Sequence, residues 1–306
     1  MSQAAASTAV APLPARPRKI WMDGRLVDPA DATVSVYDHG LLYGDGVFEG
    51  LRCYRGRIFK MESHLRRLEE SAARIRLSIP FSREQLAAAM RETMDACAMP
   101  DGYIRLVVTR GEGTLGLHPF KCPRAGCFIV VDGIQLYPPE LYRDGMRIIV
   151  AKRPRIPMQC LDPAIKSLNY LNNILAKIEA IDAGVLEAIM LNVDGDVSEC
   201  TGDNIFVVRN GRIETPPTDS GILHGITRQY VIETLAPAIG VRVEERRLSL
   251  PDVLSADEVF LTGTAAEVIG VSAVGDRVIG AGRVGEVTAR LVDEFRRRIA
   301  AGAPED

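Results

Sequence analysis

The apolar residues change period at Met61, and that change restricts the chain to folds that mix sheet with helix. Upstream, 47–54 and 57–59 are strand-length runs joined by the turn residues Arg55 and Gly56, the pattern of a hairpin. From there Met61, Leu65, Leu68, Ala72 and Ile75 recur every three or four residues, which predicts an amphipathic helix over 61–77. A second helix is expected over 82–98, with Ser82 as N-cap and Gln85 completing a capping box. Strands are expected at 19–22, 103–109, 127–133 and 146–151. The second half alternates helix (169–183), strands (186–192 and around 204–208), helix (227–238), strands (241–245, 258–261) and a closing helix at 284–299. There is no internal repeat, and helices and strands mix without strict βαβ alternation, so the class is α+β.

A chain of 306 residues exceeds the usual size of one hydrophobic core, and two domains are expected. "QLYPPELYRDG" reads as the connection, giving a linker at 134–144 between an N-terminal domain (18–133) and a C-terminal one (145–306). Residues 1–17 are rich in Ala and Pro, lack the apolar core of a secretory signal, and are expected to be a disordered tail. The longest apolar runs, such as "CFIVV" and "MRIIVA", are far short of a membrane span, and a formal charge of −3 lacks the basic excess that nucleic acid requires. A cytoplasmic protein with no membrane or nucleic-acid partner is expected. Six scattered cysteines without a CxxC pair, and four histidines, indicate free thiols rather than a metal site or disulfide framework.

Chemistry enters with "AIKSLNYLNNILAK". Only Lys19, Lys60, Lys121, Lys152 and Lys177 share the type of Lys166 in a chain that otherwise prefers arginine. Beside a helix N-terminus the positive end of the dipole favours a neutral amine, which attacks carbonyls; alternatively Asn169 caps the helix and Lys166 is a solvated loop residue. In "VSECTGDNIFVV", Glu199 ends a strand where a carboxylate can meet a ring nitrogen, or is a surface turn residue. "HGITR" puts Gly225, Ile226 and Thr227 at a helix opening, an anion site or a plain Thr227 cap. "GTAAE" is a small-residue turn from Gly263 to Glu267, and Arg67 shares a helical face with His64, where a guanidinium can hold phosphate or simply be solvated. "GEGTLG" at 111–116 matches a dinucleotide fingerprint, but "LHPFKCP" follows instead of a helix, so a flexible loop is the better reading. An amine nucleophile, a carboxylate and several anion-holding elements are together what pyridoxal phosphate requires.

The blocks "YGDGVFEGLRCY", "HLRRLEESA", "YIRLVVTRGEG", "IKSLNY", "VSECTGDNIFVV", "HGITR" and "DEVFLTGTAAEV" occur in an order that resembles the class IV (fold type IV) pyridoxal-phosphate aminotransferases, most closely the branched-chain amino acid enzymes. The resemblance implies a smaller N-terminal α/β sandwich, a larger C-terminal domain with a pseudo-barrel sheet, pyridoxal 5'-phosphate as cofactor and at least a homodimer. It implies that Lys166 is the catalytic lysine tied to the cofactor, that Glu199 meets the pyridine nitrogen and Tyr170 the phenolic oxygen, and that Arg67, Ile226, Thr227 and Thr264 form the phosphate cup. For substrate amino acids and 2-oxo acids it implies Tyr103 with Thr264 and Ala265 at the α-carboxylate, Arg105 at the distal carboxylate of glutamate, and Phe48, Tyr137, Tyr43 and Leu117 as pocket walls. Tyr43 and Leu117 are candidates to come from the neighbouring subunit. One departure stands: four residues take Lys166 to Tyr170, one fewer than in many branched-chain enzymes, a spacing similar to D-amino acid transaminases, (R)-amine transaminases and aminodeoxychorismate lyases.

Overall fold

The computed structural model describes residues 19–302, so the tail expected at 1–17 lies outside the described residues. The first of two sheets contains β1 (Ile20–Met22), β2 (Arg25–Val27), β3 (Gly46–Tyr54), β4 (Arg57–Ile58), β5 (Gly102–Thr109) and β6 (Gly126–Asp132). They run antiparallel in the order β2-β1-β6-β5-β3-β4. With them go a short α1 (His39–Tyr43) and the two amphipathic helices α2 (Met61–Arg74) and α3 (Arg83–Ala96). The capping box forms as read: Ser82 N donates to Gln85 Oε1 at 2.8 Å, and Gln85 N donates to Ser82 Oγ at 3.3 Å. Leu65 and Leu68 of α2 pack with Leu86 and Met90 of α3 against Leu51, Ile104 and Ile129 of the sheet. Each such buried side chain contributes about 1.5–3 kcal/mol.

The second sheet has nine strands. They are β7 (Met146–Val150), β8 (Ala188–Leu191), β9 (Val197–Cys200), β10 (Asn204–Arg209), β11 (Arg212–Thr215), β12 (Val243–Glu245), β13 (Glu258–Gly263), β14 (Glu267–Val274) and β15 (Arg277–Val278). The hydrogen-bonded order is β12-β11-β10-β13-β14-β7-β8-β9, with β15 beside β14. β9 and β10 are consecutive in the chain but separated by four strands in the sheet. The tight corner between them, closed by Cys200 N donating to Asp203 O at 2.8 Å, is possible only because the sheet curls into a half-barrel. This is the curled sheet that the resemblance implied.

Helices accompany this sheet: α4 (Pro139–Asp144), α5 (Leu171–Asp182), α6 (Ile226–Tyr230), α7 (Ala236–Ala238), α8 (Leu250–Leu254) and α9 (Glu286–Ala300). A π-helical turn, Val231–Leu235, joins α6 to α7, so the helix expected at 227–238 is one rod with a wider middle. Several elements were not foreseen: β2, α1, α4, β11, α8, β14 and β15. α4 occupies the stretch read as a linker, and its frame is a proline in the first helical turn and Gly145 just past the end. Among the described residues no helix is long and apolar enough to cross a membrane.

Candidate active site

The expectation that Lys166 sits against a helix start is corrected by the structure. Helix α5 begins at Leu171 with Tyr170, not Asn169, at the cap position, and no side chain caps it. Lys166 belongs to an extended segment bound to β3. Phe48 N donates to the Lys166 carbonyl at 3.0 Å, Leu168 N donates to Gly46 O at 2.9 Å, and Ser167 bridges Val47. Lys166 N also donates to Ser71 Oγ of α2 at 3.1 Å. The backbone is thus fixed from two elements, which places the amine. Its Nζ donates to Tyr170 Oη at 3.1 Å and lies 4.6 Å from the centre of the Phe48 ring.

This amine opens into a cavity of about 230 Å³ between the two sheets. β3 and β5 contribute Phe48, Tyr103 and Arg105; α2 contributes Arg67; the segment before α5 contributes Lys166 and Tyr170. Glu199 comes from β9, Ile226 and Thr227 from the start of α6, Thr264 and Ala265 from the β13–β14 turn, and Tyr137 from the chain before α4. Tyr103 and Arg105 share a strand face, as alternation requires. Arg105 lies over the Phe48 ring at 4.4 Å and over Tyr103 at 5.5 Å, a cation seated among aromatics. Glycines make room for polar tips: a Cβ at Gly50 would fall 1.8 Å from Tyr103 Oη, at Gly225 1.9 Å from Asn204 Oδ1, and at Gly263 2.1 Å from Asp203 Oδ1.

Two expected residues are not brought in. Leu117 is 80% exposed and Tyr43 37% exposed, and neither lines the cavity of this chain. Tyr43 Oη instead accepts from Gly116 N at 2.9 Å, which ties the glycine loop 111–116 to α1. That loop leads to a 3₁₀ turn, Pro119–Lys121, and not to the helix a dinucleotide site needs.

The charged residues are held by partners that the sequence reading did not name. Arg67 donates through Nε and one terminal nitrogen to Glu49, both at 2.8 Å, and through the other to the His224 carbonyl at 2.8 Å. Two of its five N–H groups are left for an anion. Burial alone would raise the Glu49 carboxyl, but the charge of Arg67 and the hydrogen bonds from Arg67 and His64 outweigh it and hold Glu49 well below the usual carboxylate range. His64 donates from Nδ1 to Glu49 at 2.7 Å; burial keeps its imidazole neutral against that attraction, and its Nε2 has no hydrogen-bond partner among the described residues. Glu199, 4% exposed, accepts from Arg155 Nε at 2.9 Å on one oxygen, with Arg155 Nη2 paired to that same oxygen at 2.7 Å, and from Leu223 N at 2.9 Å on the other. Arg155 is in turn held by Asn173 Oδ1 at 2.9 Å. Glu49, Arg155, Asn204, Glu187 and Asp203 were all missed. A buried acid inside the apolar run "GVFEGL" was the signal for Glu49; for the others the pairing is long-range and left no local pattern.

The family model for amino-transferase class IV matches residues 46–274. The chain belongs to the class IV aminotransferases. A protein of Methanocaldococcus jannaschii with a provisional branched-chain-amino-acid aminotransferase name is 49% identical over 278 residues, covering 91% of this chain and 95% of that one. Among solved structures, the branched-chain amino acid aminotransferase of Escherichia coli matches with TM-score 0.91 and 34% identity, covering 95% of this chain and 97% of that chain. The branched-chain amino acid aminotransferase of Thermobaculum terrenum, in its PLP form, matches with TM-score 0.85 and 30% identity over 95% of this chain and 95% of that chain. The fold is therefore fold type IV.

Class IV aminotransferases depend on pyridoxal 5'-phosphate, and the cavity of this aminotransferase fits that group. The helix at Ile226 starts from Gly225, with no side-chain cap on its first N–H groups, and Thr227 lies inside the helix rather than capping it. Those free donors and the two unused N–H groups of Arg67 suit a phosphate. A buried carboxylate and a primary amine line the same cavity, as a pyridine nitrogen and an aldehyde require.

Proposed function

We propose that this chain transfers the amino group of L-leucine, L-isoleucine or L-valine to 2-oxoglutarate in a ping-pong cycle. The observation that carries the reading is the shared cavity: Lys166, Tyr170 and Glu199 stand in it together with Arg67, beside a wall that is aromatic yet contains one guanidinium. When bound, pyridoxal phosphate supplies an electron-accepting ring that stabilises negative charge at the substrate α-carbon. Glu199 is assigned to the ring nitrogen, because Arg155 pairs with it at 2.7 Å and keeps it oriented. Arg67, Ile226, Thr227 and Thr264 hold the phosphate, and Tyr170 Oη meets the phenolic oxygen. Lys166 Nζ takes the α-proton of the amino acid and returns one to the product side, a single base for both ends of the transfer. Tyr103 and the backbone at Thr264 and Ala265 receive the α-carboxylate. Phe48 and Tyr137 enclose an aliphatic side chain, and Arg105 receives the distal carboxylate when glutamate takes its turn.

Mixing holoenzyme with L-leucine, L-glutamate, D-alanine and (R)-1-phenylethylamine, and following the cofactor spectrum, tests the substrate class. Rapid bleaching is expected with the first two. Bleaching by D-alanine with none by L-leucine would move the chain to the D-amino acid branch that its Lys166–Tyr170 spacing resembles.

The working unit is proposed to be a cytoplasmic homodimer. Exposed Leu41, Leu42, Tyr43, Leu115 and Leu117 cluster in α1 and the glycine loop that Tyr43 binds, and a second copy that buries them would bring Tyr43 and Leu117 to its partner's cavity. Sedimentation velocity should show a dimer, and a Leu117→Arg variant should shift it toward monomer with loss of turnover. A monomer at full activity would overturn this.

A further inference from the structure

The hydroxyl of Tyr137 meets two buried carboxylates at the cavity wall. Its Oη lies 2.8 Å from Asp203 Oδ2 and 3.3 Å from Glu187 Oε2. A phenol has one proton to donate and cannot satisfy two anions. The two acids differ in what else they hold. Glu187 Oε1 accepts from the N–H groups of Ala188 and Thr201, both at 2.8 Å, and from the Thr201 hydroxyl, while its Oε2 faces Lys177 Nζ at 3.4 Å. The Asp203 carboxyl has only Tyr137 as a hydrogen-bond partner among the described residues, and its Oδ1 is pressed toward Gly263. Glu187 is 1% and Asp203 4% exposed. A buried carboxylate with a single donor is far costlier than its acid, whereas the donors around Glu187 are those of an anion.

We propose that Asp203 and Glu187 share one proton across the Tyr137 hydroxyl, with Asp203 as the acid, and that Asp203 is thereby a positioning residue that fixes Tyr137 in the substrate-cavity wall. The Asp203 hydroxyl donates to Tyr137 Oη and the phenol donates to Glu187, so the phenol oxygen both accepts and donates. Burial first, and then the charge of Glu187, push Asp203 up to about 7 against the opposing bond from Tyr137. The other titratable groups facing Asp203 are Lys177 of α5, Glu199 and Cys200 of β9, and Tyr142 of α4. Burial and the two acids likewise raise Tyr137, so the phenol keeps its proton.

Above this range Asp203 loses its proton and competes with Glu187 for the phenol, and the cavity lining gains a negative charge. An amino acid with an anionic side chain is then disfavoured, while a branched aliphatic one is little affected. That consequence for substrates rests on the proposed function; the shared proton does not.

Two measurements on holoenzyme separate them. Asp203→Asn keeps a donor toward Tyr137 and carries no charge, so it mimics the acid at every pH. An acid raised by folding stabilises the native state below its unfolded value, and that stability is lost as pH rises through the folded value of about 7. The melting temperature of Asp203→Asn relative to the unaltered enzyme should therefore climb by several degrees as pH rises from the ordinary carboxylate value of about 4 to about 7, and level off above that. A constant difference would overturn the shared proton. In the infrared, the unaltered holoenzyme should show a carboxylic-acid stretch that titrates near neutrality and is missing from Asp203→Asn. Its absence at pH about 6 overturns the proposal without reliance on any variant.

The second measurement is the KM ratio of L-glutamate to L-leucine, expected to rise severalfold through neutrality in the unaltered enzyme and to stay flat in Asp203→Asn. A flat ratio beside a titrating acid band would leave the proton in place and overturn the positioning role. Inertness to both amino acids would fail the proposed function alone, with the melting and infrared results still deciding the shared proton.

Discussion

Lys166→Ala is expected to lower turnover of L-leucine by about ten-thousand-fold or more, the size of effect that follows from removing a positioned general base that also anchors the cofactor. The fold should survive, because the segment is fixed by backbone bonds that alanine keeps: Phe48 N to the carbonyl of residue 166, and residue 166 N to Ser71 Oγ. The side chain removed is a partly buried amine whose only hydrogen bond among the described residues is to Tyr170 Oη at 3.1 Å. A stability change of about 1 kcal/mol or less is expected from so small a contact loss. Single-turnover kinetics with a melting curve as control gives the answer. Turnover within about tenfold of the unaltered enzyme would sink the assignment of Lys166, since that corresponds to only about 1.4 kcal/mol of barrier.

Glu199→Gln is the second large effect, and it acts on two quantities at once. The substitution removes the charge that Arg155 meets at 2.7 and 2.9 Å, leaving a guanidinium only 6% exposed with Asn173 and Asn172 as its remaining partners. Breaking one side of a buried pair costs about 3–5 kcal/mol. The new amide also sets N–H against N–H, toward either Arg155 or Leu223, so no rotamer restores the bonds. Catalysis should fall by roughly a hundred- to a thousand-fold, the usual cost of deleting one fixed electrostatic contact to developing charge. Glu199→Asp, shorter but charged, should recover part of the rate. A Gln variant that melts early yet turns over at the full rate would make Glu199 a structural residue and remove it from the cofactor.

The parts of this molecule that were legible beforehand are those governed by neighbours in sequence. The Ser82–Gln85 box needs only four consecutive residues, and the stripe from Met61 to Ile75 needs only the helical period, so both could be read directly. The start of α5 could not. Asn169 is the better cap by residue type, but the chain from 166 to 168 is committed to β3 through Gly46 and Phe48, more than a hundred residues away, and helix begins only once that pairing ends. β14 was missed for a related reason: seven of the eight residues of "EVIGVSAV" are buried, so the alternation that marks a one-sided strand is absent. α4 had its signals in view, two prolines and a terminal glycine, but these same residues also mark a linker. At the site, Lys166 and Glu199, which line one cavity, were singled out by motif order, whereas the Asp203–Tyr137–Glu187 contact joins positions 66 and 50 residues apart in the chain.

The glycines at 50, 225 and 263 bear on how the specificity of this enzyme could be reshaped. At each, an added methyl would meet the far end of a side chain rather than the backbone, and that side chain is Tyr103, Asn204 or Asp203. Alanine at these positions would therefore act through a displaced neighbour and not through the new residue, and at 225 and 263 that neighbour is a buried, hydrogen-bonded Asn204 or Asp203, so a loss of stability should accompany any change in selectivity.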